Sequence, residues 1–367
     1  SCSPNTIFLF YDYSIRPSDF IALGLMLFMG SKTMTNLAQT YTSPPTLRPA
    51  LRLVKTNTLT RDEWLTVRKH GIGSSDAAAA VGLSPYKSQL ELWMEKTGRD
   101  SGLPKPDPDD TTAPVYWGTL LEPIVATAYT KQTGRKVRKI NAVLQHPEKP
   151  WMLANIDREV VGASDVQILE CKTAGEFGAR LWKEGVPEYV QLQVQHQLAV
   201  TGKQAADVAV LLCGQQLQVY RIARDEELIM KLIALQERFW QYVTTDTPPP
   251  TDGSHSAATA LQYLYPVDSG QHVDFSQDSL MSALFTDLQE ARFHADKYKA
   301  LEEQYKQKIQ QSMGEASKAI FETGSVTWKR SKDSIVLDSK RLLSEQPELL
   351  NQFSLTRPGN RRFVISA

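Results

Sequence analysis

Asp157 stands in the apolar run WMLANIDREVVG, and thirteen positions later Glu170 and Lys172 interrupt a second apolar run, ILECKTA. Residues two apart on a strand share a face, so Glu170 and Lys172 point one way and Cys171 the other. A carboxylate oxygen beside a backbone carbonyl, here that of Cys171, is a hard-oxygen pair suited to Mg²⁺, which takes few protein ligands and keeps several waters. An ammonium beside them could orient or deprotonate a metal-bound water. Glu-x-Lys alone also fits an exposed strand carrying a surface ion pair. The acid on the preceding run changes that balance. Two antiparallel strands joined by a turn near Gly162 would bring Asp157 to Glu170, and a shared divalent ion would offset their repulsion. Asp165 is nearer in sequence, but its GASD setting reads as a loop; it stands as the alternative to Asp157.

Other polar residues also sit where their surroundings call for a partner. Glu122, in TLLEPIV, has apolar neighbours on both sides. An unpaired carboxylate there is costly, so it should face a cation unless it lies on the helix surface before Pro123. YVQLQVQHQLAV alternates like a strand, but Pro187 and the run of good helix formers favour a helix. On that helix Tyr189, Gln193 and Gln197 form one stripe, and His196 is expected to pack or hydrogen-bond rather than ligate. RKHGIGSSD places a glycine turn, Ser74 and Ser75 at a helix start, where N–H groups and hydroxyls can meet an anion. Arg68, a turn earlier, adds a two-pronged donor. A capped helix packed through its alanines is the plain alternative. The basic run KQTGRKVRK, residues 131–139, fits either contact with a DNA backbone or a solvated turn.

These residues need elements to hold them. Thr60 and Glu63 make a capping box for a short helix, SQLELWMEKTG reads as a second helix ending at Gly98, and VYWGTLLEPIVATAYTKQTG as a third closed by Gly134. The period then changes to short strands in KVRKINAVLQHP, WMLANIDREVVG and DVQILECKTA. LLCGQQLQVYRI reads as a hairpin turning near Gly214, and DEELIMKLIALQERFWQYV as an amphipathic helix. The expected core is therefore α/β, a mixed sheet flanked by helices, over residues 46–246. Residues 1–45 are expected to be an extension outside it, and the Pro-rich TPPPTDGSHSAAT opens a linker over 247–278. Residues 279–367 should form a helical and β appendage: a long helix from Ser279 to Met313, then strand-like runs in AIFETGSVTWKR and RRFVIS.

Composition bounds the rest. Lys plus Arg and Asp plus Glu each total 41 of 367 residues, so any nucleic-acid surface must come from local segregation of charge. Three dispersed cysteines exclude a disulfide framework and a four-cysteine iron–sulfur cluster, and suit a reducing cytoplasm. FIALGLMLFMG is about half the length that spans a bilayer, so no membrane anchor is expected.

An acid followed by Glu-x-Lys on the next strand is the PD-(D/E)xK nuclease pattern, with isoleucine in place of the usual proline before the acid. Five ordered blocks, RKHGIGSSDAAAAVGLSPYKS, WGTLLEPIVATAY, ANIDREVVG, ILECKTA and VPEYVQLQVQHQLAVTG, resemble the YqaJ-like viral recombinases. The lambda-exonuclease-like nucleases are their structural relatives. The resemblance implies that Asp157, Glu170 and the Cys171 carbonyl hold a metal ion, with Glu122 approaching from the other side, through water or at a second metal. Lys172 would activate water and Gln193 would lie by that water or the scissile phosphate. Arg68, Ser75 and Asn155 would hold a terminal 5′-phosphate, with Arg180 the nearest match to a further arginine. It further implies a Mg²⁺-dependent 5′-to-3′ exonuclease on double-stranded DNA ends, with Mn²⁺ as substitute metal and no Fe–S cluster. The product would be a 3′ strand for a single-strand annealing recombinase, in a homo-oligomer such as a trimer, in a bacterial cytoplasm and of phage or prophage origin. The alternatives are a RecB-like or CRISPR-associated repair endonuclease without Fe–S, and a non-cutting DNA-end-binding adaptor.

Overall fold

The computed structural model describes residues 49–366 apart from 106, 108 and 358; the extension expected over residues 1–45 lies outside them. β1 (Leu51–Lys55) leads to α1 (Arg61–Lys69). Its cap is reciprocal, as Thr60 and Glu63 predict: the Glu63 N–H donates to the Thr60 hydroxyl, and the Thr60 N–H to the Glu63 carboxylate. A 3-10 turn over Ser74–Asp76 and α2 (Ala77–Ala80) follow. α3 (Gln89–Lys96) is capped by the Ser88 hydroxyl, and α4 (Pro114–Thr133) stops at Gly134, whose φ of 72° a side chain would resist.

The strands come next: β2 (Lys136–Lys139), β3 (Ala142–Gln145), β4 (Leu153–Ala154), β5 (Arg158–Val161) and β6 (Ile168–Ala174). After β6 come the short α5 (Glu176–Ala179), α6 (Glu188–Thr201), β7 (Ala205–Leu212), β8 (Gln216–Ala223), α7 (Glu226–Thr244) and α8 (His255–Leu264). Five strands form one sheet in the order β2-β5-β6-β7-β8. The β6–β7 pair is parallel and the other three are antiparallel, so the sheet is mixed. The crossover between the parallel strands is α6. β1, β3 and β4 make a second, antiparallel sheet.

Alternation along β6 and β7 divides the core in two. Ile168, Ala206, Val208 and Val210 pack with Val190, Val194 and Leu198 of α6 on one face. Leu169, Ala205 and Ala209 pack with Val125, Ala126 and Tyr129 of α4 on the other. Ile168 and Leu169 are fully enclosed, each burial contributing roughly 2 kcal/mol. The face that holds Ile168 must therefore hold Glu170 and Lys172, beneath α6.

Three elements differ from the sequence-based expectation. No element is expected from the sequence at 51–55, where β1 pairs antiparallel with β3. The linker expected over 247–278 contains α8, which buries Ala257 and Ala260 and is tied to α3 by Ser256, whose hydroxyl takes the Ser88 N–H at 2.8 Å. The Pro-rich composition marked the turn into α8 and not the end of the packed unit. The chain divides into two compact units, one ending at Tyr265 and one from Pro266 to Ala367. The second holds α9 (Ser279–Met313), the hairpin of β9 (Lys318–Phe321) and β10 (Gly324–Thr327), and the short α10 (Ser339–Glu345) and α11 (Glu348–Phe353). RRFVIS forms no strand there: β9 and β10 pair only with each other, and an isolated strand has no ladder. No helix among the described residues is long and apolar enough to cross a membrane.

Candidate active site

β5 and β6 pair over only two positions, Arg158 with Leu169 and Glu159 with Ile168. Beyond Leu169 the strands part, and Asp157, just before β5, turns into the gap. Its Oδ2 accepts the Cys171 N–H at 2.8 Å. In a strand the N–H and carbonyl of one residue lie along the same edge, so the Cys171 carbonyl also faces the gap. The Cys171 side chain points to the opposite face, against the α4 layer. Burial first, then the neighbouring carboxylates Asp157 and Glu170, push its thiol up, which leaves it inert as a nucleophile.

Glu170 is 3% exposed and both its oxygens are engaged. Oε1 accepts from Gln193 Nε2 at 2.6 Å and pairs with Lys172 Nζ at 2.7 Å; Oε2 accepts from Gln197 Nε2 at 2.7 Å. Lys172 also donates to Gln193 Oε1 at 2.9 Å. Burial pulls the lysine down, but the Glu170 and Asp157 carboxylates together outweigh it and the pKa is raised, so Lys172 holds its proton. Asp157 is pushed well above the ordinary carboxylate value by burial and then by Glu170. A buried Asp157 carboxylate held back from ionising by burial and by Glu170 beside it is an arrangement that a divalent cation relieves.

The donor set suits a hard cation: two carboxylates and a carbonyl, with no soft ligand. Among the described residues no group of three or more His, Cys, Asp or Glu is placed to hold a metal ion. The expectation that Glu122 faces a metal meets a different partner: the Arg158 guanidinium, with Nη1 2.5 Å from Glu122 Oε1. This is a cation opposite a carboxylate, as the apolar setting requires, but the cation belongs to the protein.

The glycine-rich block sits on the same body. Gly71 passes so close to β4 that a Cβ would meet the Trp151 carbonyl at 2.6 Å, and Ile72 bridges to Met152. Arg68 and Ser75 are brought together, Nη2 to Oγ at 2.7 Å, and Arg68 lies over the Trp64 ring at 4.8 Å. Asp76 takes the other Arg68 bond at 2.9 Å and the buried Lys96 at 2.7 Å. Burial alone would raise Asp76, but Arg68, Lys96 and Lys87 hold it well below the usual range. Asn155 lies two residues before Asp157; its amide reaches the Ala142 carbonyl at 3.4 Å and its own carbonyl accepts from Gln197 at 3.2 Å. Arg180 lies over the Phe177 ring at 5.4 Å. Asp165 is in a loop, bound by Arg135 and Arg221 at 2.8 and 3.0 Å, away from the gap. His196 is enclosed between Gln236 and the Leu153 carbonyl, and burial lowers its pKa.

The family described as a YqaJ-like viral recombinase domain matches residues 63–204. The YqaJ protein of Bacillus subtilis (strain 168) is 33% identical over 305 residues, 81% of this chain and 92% of its own length. The chain belongs to the YqaJ-like viral recombinase family. Two solved structures are partly similar: an alkaline exonuclease from Laribacter hongkongensis (24% identity, TM-score 0.41, 50% of this chain and 93% of that one) and a phage-related exonuclease from Haemophilus somnus (12%, 0.35, 50% and 99%). The α/β core is a mixed sheet between helices, the class expected from the sequence.

The family match begins just before Arg68 and ends just past α6, so it encloses every residue of the cluster. Three members were not picked out from the YqaJ-like blocks. Gln197 was visible in the stripe with Gln193 but had no assigned task. Arg158 looked like an ordinary strand residue following the acid. Asp76 follows two serines and reads as a helix cap; only the tertiary approach of Lys96 reveals its load.

Proposed function

We propose that this chain is a metal-dependent exodeoxyribonuclease that degrades linear double-stranded DNA from its ends. The reading extends to Mg²⁺ as the metal, 5′-to-3′ polarity, and 3′ single strands as the product handed to an annealing recombinase. It also includes a homo-oligomer that keeps hold of its substrate. The observation that carries it is the convergence of Asp157, Glu170 and Lys172 where β5 and β6 part. Membership of a recombinase family supports the recombination setting.

Asp157, Glu170 and the Cys171 carbonyl would hold the cation. Once bound, it would lower the pKa of a water and neutralise charge on the scissile phosphate. Lys172, protonated and steered by the Gln193 carbonyl, donates toward the attacking oxygen or a phosphate oxygen. Arg68, with Ser75 beside it, offers guanidinium and hydroxyl donors to a terminal phosphate, and Asp76 with Trp64 keeps the guanidinium from swinging away. Glu122 acts through Arg158, which also takes the Asp157 carbonyl at 2.6 Å and so steadies the backbone that presents Asp157.

The test uses linear duplexes ending in 5′-phosphate or 5′-hydroxyl, with Mg²⁺ or EDTA, beside Glu170→Ala and Lys172→Ala. Mg²⁺-dependent nucleotide release that prefers 5′-phosphate and vanishes in both variants is expected. Equal cutting of closed circles would overturn the exonuclease reading, and no release from the wild type would overturn the enzyme.

A further inference from the structure

Helix α6 carries two glutamines four residues apart, on one face, and both amides reach Glu170. Gln193 also accepts from Lys172 and belongs to the reacting cluster. Gln197 is different. It is fully enclosed, and its Nε2 divides its bonds between Glu170 Oε2 and the Asn155 carbonyl. Its Oε1 is buried without a hydrogen-bond partner. A leucine would fill similar space with no unmet polar atom of its own, so packing alone does not account for an amide here.

The terminal torsion of a glutamate is broad, and one bond to one oxygen leaves the carboxylate free to rotate. Gln193 holds only Oε1. The bond from Gln197 to Oε2 fixes the plane. The Asn155 carbonyl lies two residues before Asp157, so the same amide fastens β6 to the chain that presents the second carboxylate. A neutral donor does this without adding positive charge beside a cation site, which lysine or arginine could not. Turning the amide over would set Oε1 against an ionised carboxylate, so the charge on Glu170 fixes which end points at it.

We propose that Gln197 is a positioning residue for metal binding: it locks the Glu170 carboxylate and couples it to the Asp157 segment. This rests on the reading of Asp157 and Glu170 as metal ligands. Groups that orient a metal ligand typically contribute 10- to 100-fold in affinity.

The full chain, without DNA, is titrated with Mn²⁺ and the free ion followed by electron paramagnetic resonance. Wild type is compared with Gln197→Leu, Gln197→Asn, Glu170→Ala and, as a control on the exposed side of α6, Gln191→Leu. Gln197→Leu is expected to weaken Mn²⁺ binding roughly 10- to 100-fold, with Gln191→Leu unchanged. Gln197→Asn, which keeps the amide one methylene short, should fall between and covers the case in which leucine prevents folding. In DNA cleavage, the Mg²⁺ concentration for half-maximal rate should rise by a similar factor while the rate at saturating Mg²⁺ falls much less. Wild-type Mn²⁺ affinity in a folded Gln197 variant would overturn the assignment while leaving the metal site intact. If Glu170→Ala binds Mn²⁺ as wild type does, the metal reading falls, and this inference with it.

Discussion

Arg158 follows Asp157 in the chain, yet its guanidinium holds Glu122 on another element, 2.5 Å away, and the Asp157 carbonyl at 2.6 Å. One side chain therefore links α4 to the backbone that presents the acid. The pair is largely enclosed, with side chains 9% and 26% exposed. Arg158→Met leaves a carboxylate facing apolar surroundings and is expected to destabilise by roughly 2–3 kcal/mol. Because the lone charge causes most of that cost, the double variant Glu122→Gln/Arg158→Met should recover a large part of it. Urea unfolding of the four proteins in the cycle measures this. Additive losses would mean that the two residues do not act as a pair.

Asp76 makes a prediction about acid. Its pKa is depressed in the folded protein by Arg68 and Lys96, so its contribution to stability is complete above the unfolded value near pH 4. That contribution is lost as pH falls from there toward the depressed folded value, because the unfolded chain then binds more protons. Asp76→Asn should flatten the dependence of the urea midpoint on pH below about 4. At neutral pH it should cost roughly 3–5 kcal/mol, since Lys96 is left buried beside an arginine. It should also reduce the preference for 5′-phosphate over 5′-hydroxyl ends, because Arg68 loses its anchor. A steep acid limb surviving in Asp76→Asn would place that titration elsewhere.

Local signals in the sequence pointed correctly wherever one residue type has one physical use. Strand alternation set Glu170 and Lys172 on a common face, and Thr60 with Glu63 announced a cap. Glu122 shows where such signals run out. Its apolar neighbours demand a cation, but whether that cation is a metal or an arginine depends on how α4 meets β5, which no single segment encodes. The region after Thr247 shows a second limit. Proline and glycine report that the backbone turns, not whether the next helix packs, and Ser256 and Ala260 pack against residues about 170 positions earlier. Gln197 needed both limits lifted, since its task is visible only with Glu170 and Asn155 in place.

Gly71 should tolerate nothing larger. A Cβ there would lie 2.6 Å from the Trp151 carbonyl and 2.7 Å from Leu153 Cγ, and a backbone atom cannot swing aside. Gly71→Ala is expected to cost roughly 1–3 kcal/mol in urea unfolding. The strain falls on the contact where Ile72 donates to the Trp151 carbonyl at 2.7 Å and accepts from Leu153 at 2.9 Å. That contact seats the Arg68–Ser75 block on β4, so the variant should lose discrimination for 5′-phosphate ends before it loses Mn²⁺ binding at Glu170. Gly98→Ala is a useful contrast: φ is +77°, but nothing lies within 4 Å of the added Cβ. Its cost should be backbone strain alone, with end preference unchanged.

Two truncations separate the contribution of α8 from that of residues 266–367. Ending the chain after Tyr265 keeps α8, whose Ala257 and Ala260 are enclosed and whose Ser256 holds both Ser88 and Glu91. That protein should fold, bind Mn²⁺ and release nucleotides in the presence of Mg²⁺ at a rate within a few-fold of the full chain. Ending it after Thr247 removes α8 and uncovers α3, including the Ser88 N–H that Ser256 satisfied and the cluster around Leu90, Trp93 and Phe239. The melting temperature should then fall by on the order of 5–10 °C. α3 also carries Lys96, so loosening it should weaken the Asp76–Arg68 anchor and selectively slow cleavage from 5′-phosphate ends. Equal melting of the two truncated chains would show that α8 does not contribute to the fold. Loss of cleavage on removing residues 266–367 alone would assign the second unit a part in catalysis.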